Sequence, residues 1–313
     1  MQNRVREIDF LKCVFIILMV MFHLVYFGDK YPYAKQVVYT FHMPAFLVIS
    51  GYLANMSKGA RQLLNQVKWL FIPYAVMEAG YVVMASILPI REHIDSLTVA
   101  VFAEKLLLHP LGPYWYLHTL IVCYLTYYAV SRLRPRLGVV PFMCVLGVTF
   151  YALVELTHIV QISNALYFMA GVLVRQSGVK LMQVFRPSLL AAVPLAVFCI
   201  ASPDEMYKQT LTGVIVTYLV ICLSLGVYPL LAEKAKRVAC FIGENTLAIL
   251  LFSPIFTILA KRFVPILAFD PTALLFATAS TVFTIAGSLA VAYVMDRLML
   301  SRWFSGKNLY NNA

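Results

Sequence analysis

Two ionisable residues near the start of the chain, Lys12 and His23, have types and a spacing that could serve a group-transfer reaction. They stand eleven residues apart, and every side chain from Val14 to Phe22 between them is apolar. Eleven steps of about 100° return to nearly the same face of a helix and cover roughly 16 Å along its axis. One helix face would then carry a positive charge near the water boundary and an imidazole well inside. Imidazole suits general-base chemistry because its unperturbed pKa is about 6.5.

Each of these residues also has a purely structural interpretation. Lys12 at the start of a helix is ordinarily a snorkelling anchor, and His23 could simply pack against a neighbouring carbonyl group. Asp9 stands three residues before Lys12, a spacing at which an ion pair merely supports the helix. Ionisable residues inside an apolar span are nevertheless costly, and they are functional candidates by default. His23, Lys12 and Asp9 are therefore the candidate catalytic residues, with the structural interpretations still open.

The composition indicates what kind of helix positions these residues. Hydrophobic residues make up 62% of the 313 residues and charged residues 12%, against about 45–50% and about 25% in an ordinary globular chain. Repeated apolar stretches of membrane-spanning length predict an all-α, polytopic membrane protein. We expect a single transmembrane domain over 1–313, with no soluble domain and no cleaved signal peptide.

About ten spans are predicted, and the positive charges orient them. With the N-terminus inside, eighteen of the 25 lysines and arginines fall in inner segments, which predicts that both termini are cytoplasmic. The net charge of +11 then reflects topology and excludes nucleic acid as the expected partner. The six cysteines have no metal-ligand spacing, so we predict no metal site. The predicted spans are 8–27, 37–55, 69–89, 113–131, 138–156, 161–175, 187–202, 210–231, 240–260 and 272–295.

Further candidates lie in or beside these spans, each with a structural alternative. His42 precedes Pro44, which should disrupt the second span, so His42 either caps that break or faces a site. Ser50 precedes Gly51, and the pair is either a helix-packing notch or contains an oxyanion donor. For the four remaining candidates the structural alternatives are a place in the interfacial aromatic belt, a buried carboxylate that only needs a partner, or helix capping. These others are Glu78, Trp115, His118 and Asn245.

Several motifs follow one another along the chain, and their order resembles that of a known protein family. In this order they resemble the acyltransferase 3 family, integral membrane acyltransferases of which many O-acetylate bacterial cell-surface polysaccharides. The Phe-His-Met-Pro run resembles the fucose 4-O-acetylase-like branch of that family. The motifs are Asp9-Phe10-Leu11-Lys12, Lys12 with ten residues between it and His23, Phe41-His42-Met43-Pro44 through Ser50-Gly51-Tyr52, Gly112-Pro113-Tyr114-Trp115-Tyr116-Leu117 and Ile242-Gly243-Glu244-Asn245-Thr246-Leu247.

The chain departs from the family pattern at two points. Many members have Arg where Lys12 stands. Many also have a histidine shortly after the Gly-Glu-Asn-Thr run, where this chain has Phe252-Ser253-Pro254. No second histidine is therefore expected from that span.

The resemblance implies transfer of an acetyl group from cytoplasmic acetyl-CoA to a saccharide hydroxyl reached from the outer side of the inner (plasma) membrane. His23 would deprotonate the hydroxyl, and a covalent acetyl-histidine is the less favoured route. The developing oxyanion needs a donor, and Ser50, Trp115 and Asn245 all remain open. The expected donor-binding residues are Lys12, Lys58, Arg61, Lys68 and Asn245, and the expected acceptor-binding residues are His42, Ser50, Glu78, Trp115 and His118.

Two other functions fit the same composition. A transporter of a sugar, lipid or organic ion is compatible with ten spans and the buried Glu78, although the two related halves common in transporters are absent from this sequence. A transferase of another acyl group, or one acting on an amine, would share the scaffold. The sequence leaves the acceptor, the acyl chain and the oligomeric state open.

Overall fold

The computed structural model describes residues 5–55, 59–87 and 93–311, except the side chain of Pro135, and within these ranges it is helical with no strand. Short 3₁₀ turns cover Gly112–Tyr114, Arg134–Arg136, Leu189–Ala191, Pro203–Glu205, Tyr228–Leu230 and Ala260–Phe263. The α-helices are α1 Arg6–His23, α2 Val25–Gly28, α3 Pro32–Leu53, α4 Ala60–Ile87, α5 Val99–Leu107, α6 Trp115–Ser131, α7 Val139–Thr157, α8 Ile162–Gln176, α9 Leu181–Val184, α10 Ala192–Ala201, α11 Leu211–Val227, α12 Glu233–Glu244, α13 Thr246–Leu259, α14 Val264–Leu267, α15 Leu274–Arg297 and α16 Leu300–Ser305.

Each of the ten predicted spans overlaps helical structure in the described residues, although 8–27 is divided at Leu24 between α1 and α2, and 240–260 is divided at Asn245 between α12 and α13. Residues 88 and 89 of the third predicted span lie outside the described ranges. In the part of the chain that is described, five helical segments are long and apolar enough to cross a membrane. The α1 helix carries four charged residues in its first two turns, while α6 and α8, with 17 and 15 residues, fall short of the roughly 20 residues of a full span. The number of ten spans and the location of the termini therefore stay predictions. The five segments are Ala60–Ile87, Val139–Thr157, Leu211–Leu230, Thr246–Leu267 and Leu274–Arg297.

The α1 helix lies at the centre of the packing, in contact with α3, α11, α12, α13 and α15. Its closest neighbour is α12, because Gly243 rests directly on the backbone of Asp9. A Cβ atom at Gly243 would stand 1.8 Å from the Asp9 carbonyl oxygen. The glycine of the Gly-Glu-Asn-Thr run thus permits a close helix contact at the base of α1.

A pair of glycines lets α3 and α8 cross at backbone distance. A Cβ atom at Gly51 would stand 2.0 Å from the Phe168 carbonyl oxygen, and one at Gly171 would stand 2.0 Å from the Val48 carbonyl oxygen. Small residues allow this approach because neither backbone is covered by a side chain. The predicted packing notch at Gly51 is confirmed, with α8 as the partner.

The predicted disruption at Pro44 is wrong, since α3 continues from Pro32 to Leu53 with Pro44 inside it. Proline removes only its own N–H, so the carbonyl group of Thr40 loses its usual partner while the helix goes on. The buried Thr40 hydroxyl donates to the Met206 carbonyl oxygen at 2.7 Å, which ties α3 to the segment before α11.

Buried polar side chains of α4 and α6 hold the segment from α5 to Leu111, which we call the outer loop after its predicted side of the membrane. The Tyr74 hydroxyl donates to the Leu106 carbonyl oxygen at 2.7 Å, and Glu78 Oε1 accepts from the Leu111 N–H at 2.6 Å. His118 Nε2 lies 2.9 Å from the Leu107 carbonyl oxygen. This loop is therefore fixed over the start of α6, where Trp115 stands.

Candidate functional site

His23 is the last residue of α1, because the chain leaves helical geometry at Leu24, where ψ is 101°. The His23 Nδ1 atom lies 2.6 Å from the carbonyl oxygen of Met19. A carbonyl oxygen only accepts, so Nδ1 carries the hydrogen and, in the neutral ring, Nε2 holds the lone pair. The side chain is exposed, which leaves that basic nitrogen open to a bound hydroxyl.

A second histidine, His42, lies beside His23 in the same arrangement. Its Nδ1 atom lies 2.7 Å from the carbonyl oxygen of Val38, so its Nε2 is also the accepting nitrogen. The two imidazole centroids are 6.4 Å apart, and the Tyr39 ring lies 5.4 Å from His23 and 5.2 Å from His42. The structure thus brings together two of the predicted site residues, with a tyrosine between them.

Both histidines line a cavity of about 510 Å³. We call it the outer cavity, since it opens at the end of α1 farther from Lys12. Volumes of about 300–1,000 Å³ are usual for small-ligand sites, so a sugar ring fits the space. The lining residues are Met19, His23, Pro32, Lys35, Gln36, Tyr39, Thr40, His42, Met43, Pro113, Trp115, Met206, Tyr207, Lys208, Gln209 and Leu250.

A second, narrower cavity of about 180 Å³ begins at Lys12. We call it the inner cavity. Besides Lys12, the polar residues that line it are Ser50 and Tyr116, whose hydroxyl oxygens are 2.9 Å apart, and Thr246. The remaining lining is apolar: Ile16, Met43, Phe46, Ile49, Leu53, Leu70, Leu117, Leu120, Leu247 and Leu250.

Met43 and Leu250 line both cavities. The two spaces are therefore neighbours on either side of the same two flexible apolar side chains. Together they follow α1 from Lys12 to His23, a distance of roughly 16 Å along an unbroken helix. The spacing that drew attention to Lys12 and His23 corresponds to the two ends of this pair of cavities.

Asp9 lies beneath Lys12 and pairs with it. The Lys12 ammonium is 2.7 Å from Asp9 Oδ1, and the two side chains are 20% and 6% exposed. Since α1 is one helix, Asp9 stands about 21 Å and Lys12 about 16 Å from His23 along its axis. Neither can touch atoms that react at His23, so their place suits binding and positioning at the inner end.

The other predicted donor-binding residues do not gather around Lys12. Lys58 lies outside the described residues, and Arg61 and Lys68 are exposed on α4 without lining either cavity. Asn245 is buried between α12 and α13. Its amide donates to the Phe241 and Asn311 carbonyl oxygens, and its oxygen accepts from the Asn311 N–H. Its hydrogen bonds thus fasten the C-terminal segment, which leaves it no free donor for an oxyanion.

The predicted acceptor-binding residues divide into two groups. His42 and Trp115 line the outer cavity, and Ser50 lines the inner one. Glu78 and His118 line neither, and their hydrogen bonds hold the outer loop instead. Both are buried polar residues, which sequence alone does not separate from site residues.

Lys208, which the sequence did not single out, is a prominent residue of the outer cavity. Its ammonium donates to Asn164 Oδ1 at 2.9 Å and stands 5.0 Å from the centre of the Trp115 ring. Burial lowers the pKa of Lys208 to about 8. A signal was present, since Lys208 is one of the few cations predicted on the outer side. Lys35 also lines this cavity, with its ammonium 2.9 Å from Asp29 Oδ1.

Comparison with known proteins gives one family. The family model described as an acyltransferase domain, that of the acyltransferase 3 family, matches residues 5–293. Every residue that lines the two cavities falls within this match. No curated protein and no solved structure matches the chain.

Proposed function

Because the chain belongs to the acyltransferase 3 family, we propose that this membrane acyltransferase moves an acetyl group from cytoplasmic acetyl-CoA to a saccharide hydroxyl. The proposal includes the ten-span topology, with both termini cytoplasmic and the outer cavity facing away from the cytoplasm. The inner (plasma) membrane is the proposed location. A cell-surface polysaccharide, or its lipid-linked precursor, is the proposed acceptor.

The observation that carries this proposal is the pair of adjoining cavities. A cation stands at the far end of one and a basic imidazole in the other, with Met43 and Leu250 between them. An acyl-CoA has matching parts, namely anionic phosphates at one end, a thin and mostly apolar pantetheine arm, and a reactive thioester at the other. Charged hydrogen bonds from Lys12 to the phosphates gain strength where water is scarce.

His23 performs the proton transfer in the proposed reaction. Its Nε2 atom accepts the proton of the sugar hydroxyl as that oxygen attacks the thioester carbonyl carbon. The carbon–sulfur bond then breaks, the acetyl group stays on the sugar oxygen, and the imidazolium returns the proton to the leaving thiolate. The hydrogen bond from Nδ1 to Met19 holds the ring in the required tautomer throughout.

Two of the three predicted oxyanion donors remain candidates. Asn245 is occupied by the C-terminal segment. The hydroxyl pair of Ser50 and Tyr116 lies in the inner cavity, and the Trp115 N–H belongs to the wall of the outer one. We propose the Trp115 N–H, because Trp115 lines the same cavity as His23. Ser50 stands eight residues after His42 on α3, about 12 Å farther along the helix axis, so it suits contacts with the arm of the donor instead.

The test is substitution of His23 in the purified, membrane-reconstituted protein. We expect His23→Gln to abolish transfer of radiolabelled acetyl groups from acetyl-CoA to saccharide, with unchanged insertion and melting temperature. His158→Asn is the matched control. His158 caps α7 in the left-handed region, with φ of 53°, which asparagine also adopts, and it lines neither cavity. Full activity in His23→Gln would defeat the proposal.

A ligand-binding measurement separates the transferase from a transporter with the same cavities. Acetyl-CoA at 100 times its Kd stabilises a protein that binds it by about 2.7 kcal/mol. We expect acetyl-CoA to raise the melting temperature of the purified protein, and we expect Lys12→Met to reduce that rise. An unchanged melting temperature with acetyl-CoA in excess would favour a transporter.

A further inference from the structure

We propose that the acceptor is an anionic saccharide, bound in the outer cavity with its phosphate or carboxylate group on Lys208. The inference rests on the proposed function, because it names the class of acceptor that the same cavity takes. It predicts that the reacting hydroxyl and the anionic group belong to one molecule, which spans from the histidines to Lys208.

The charge of the outer cavity is the first observation. Lys35 and Lys208 contribute cations to its lining, and among the described residues no aspartate or glutamate lines it. A neutral sugar would gain only hydrogen bonds from these ammonium groups. An anionic sugar would be attracted to them and oriented by them.

The situation of Lys208 is the second observation. Within the described ranges its ammonium has no carboxylate within 4.0 Å, while the ammonium of Lys35 is paired with Asp29. The partners of Lys208 are the neutral Asn164 oxygen and the face of Trp115. An ammonium has three donors, so two remain for a ligand. A half-buried cation without a counter-ion is costly to the fold, and an anionic ligand would supply the missing charge.

The segment that carries Lys208 is firmly held, which is the third observation. The carbonyl group of Lys208 accepts from the Tyr167 hydroxyl at 3.0 Å. Next to it, Met206 is buried and bonded to Thr40. Gly213 lies against the Tyr207 carbonyl oxygen, where a Cβ atom would approach to 2.0 Å. The ammonium is therefore presented at a fixed place rather than on a free surface side chain.

Binding is measured first, so that the result does not depend on transfer. The purified full-length protein is titrated, without acetyl-CoA, with a panel of hexoses in three forms: the methyl glycoside, the uronic acid and the 1-phosphate. We expect at least one anionic form to bind at least tenfold more tightly than its neutral counterpart. The uronic acid and the 1-phosphate separately report whether a carboxylate or a phosphate is preferred.

Variants assign the effect to Lys208. We expect Lys208→Met to weaken the anionic form about 10- to 100-fold, as expected for loss of charged hydrogen bonds, with little change for the neutral form. Lys208→Arg keeps the charge and should restore most of the preference. Lys261→Met is the control, because Lys261 is exposed and lines neither cavity.

The possible outcomes separate this inference from the proposed function. Equal binding of neutral and anionic forms, binding of no form, or an anionic preference that survives Lys208→Met overturns the anionic acceptor, whatever the transfer activity. A preference that depends on Lys208 supports it. If acetyl transfer to the bound anionic sugar is then absent, the proposed function fails while the anionic site stands.

Discussion

Removal of the Lys12 charge tests whether the inner end of α1 binds the phosphates of the donor. The Lys12 side chain is 20% exposed, and its ammonium lies 2.7 Å from Oδ1 of Asp9, whose side chain is 6% exposed. A charged hydrogen bond in such a place is worth about 1.5–3 kcal/mol, which is about 10- to 100-fold in affinity. We therefore expect Lys12→Met to raise the KM for acetyl-CoA by about that factor.

The same substitution also removes the ion pair between Lys12 and the buried Asp9, which by itself lowers stability. The two effects separate when two donors are compared. S-acetylpantetheine carries the thioester and the arm but no phosphate. In steady-state transfer assays, we expect Lys12→Met to raise the KM for acetyl-CoA and to leave the KM for S-acetylpantetheine nearly unchanged. Lys12→Arg should retain most of the wild-type value, because it keeps the charge.

A control and a contrary result complete this test. Lys234→Met removes an exposed cation of α12 that lines neither cavity, so both KM values should stay as they are. If Lys12→Met impairs both donors equally, Lys12 acts through the stability of α1. The reasoning that places the phosphates at Lys12 would then be refuted, and Lys12 would be a structural anchor.

Three further outcomes follow from particular contacts. Leu250→Trp should fill the boundary between the cavities and lower kcat by about 100-fold, with little change in acetyl-CoA binding. Leu250→Met should be close to wild type. Equal activity of the two variants would show that the thioester does not pass there. Gly171→Ala puts a Cβ atom 2.0 Å from the Val48 carbonyl oxygen, so it should lower the free energy of unfolding by about 1–3 kcal/mol or more, seen as a lower melting temperature. A Cβ atom at Gly80 would meet nothing within 4 Å, so Gly80→Ala should leave the melting temperature unchanged. Burial lowers the pKa of Lys208 to about 8, so its ammonium loses its charge as pH rises through that value, and the KM for an anionic acceptor should increase there; an arginine at this position should give a flat profile.

The sequence predicted the helices well, because their signal is local. Each of the ten apolar stretches became helical, and the eleven-residue spacing from Lys12 to His23 became a real distance along one helix. The prediction at Pro44 was wrong for a physical reason. A proline removes one backbone hydrogen bond, and the other backbone hydrogen bonds of the 22-residue α3 continue the helix on both sides of Pro44.

The division of polar residues between site and scaffold was not predictable in the same way. His42, Glu78 and His118 are all buried polar residues within helices, yet only His42 lines one of the two cavities. Glu78 and His118 instead hold Leu111 and Leu107 of a loop whose path is set by tertiary contacts. Helical periodicity places a side chain on a face of its own helix, but it does not say what the opposing element presents.

Lys208 is the converse case, a residue of the cavity that the sequence did not identify. Its neighbours are Asn164 at the start of α8 and Trp115 at the start of α6, so its setting depends on three segments far apart in sequence. The one local signal was the positive charge of Lys208, because the positive-inside rule predicts few cations on the side where this residue is expected. Most cations predicted on the outer side and described in the structure are exposed or paired with a carboxylate, as Lys261 is exposed and Lys35 is paired with Asp29. Lys208 is half-buried, its described partners are neutral, and no acid lines the described part of its cavity. This combination is the basis for our inference that its counter-charge arrives with the substrate.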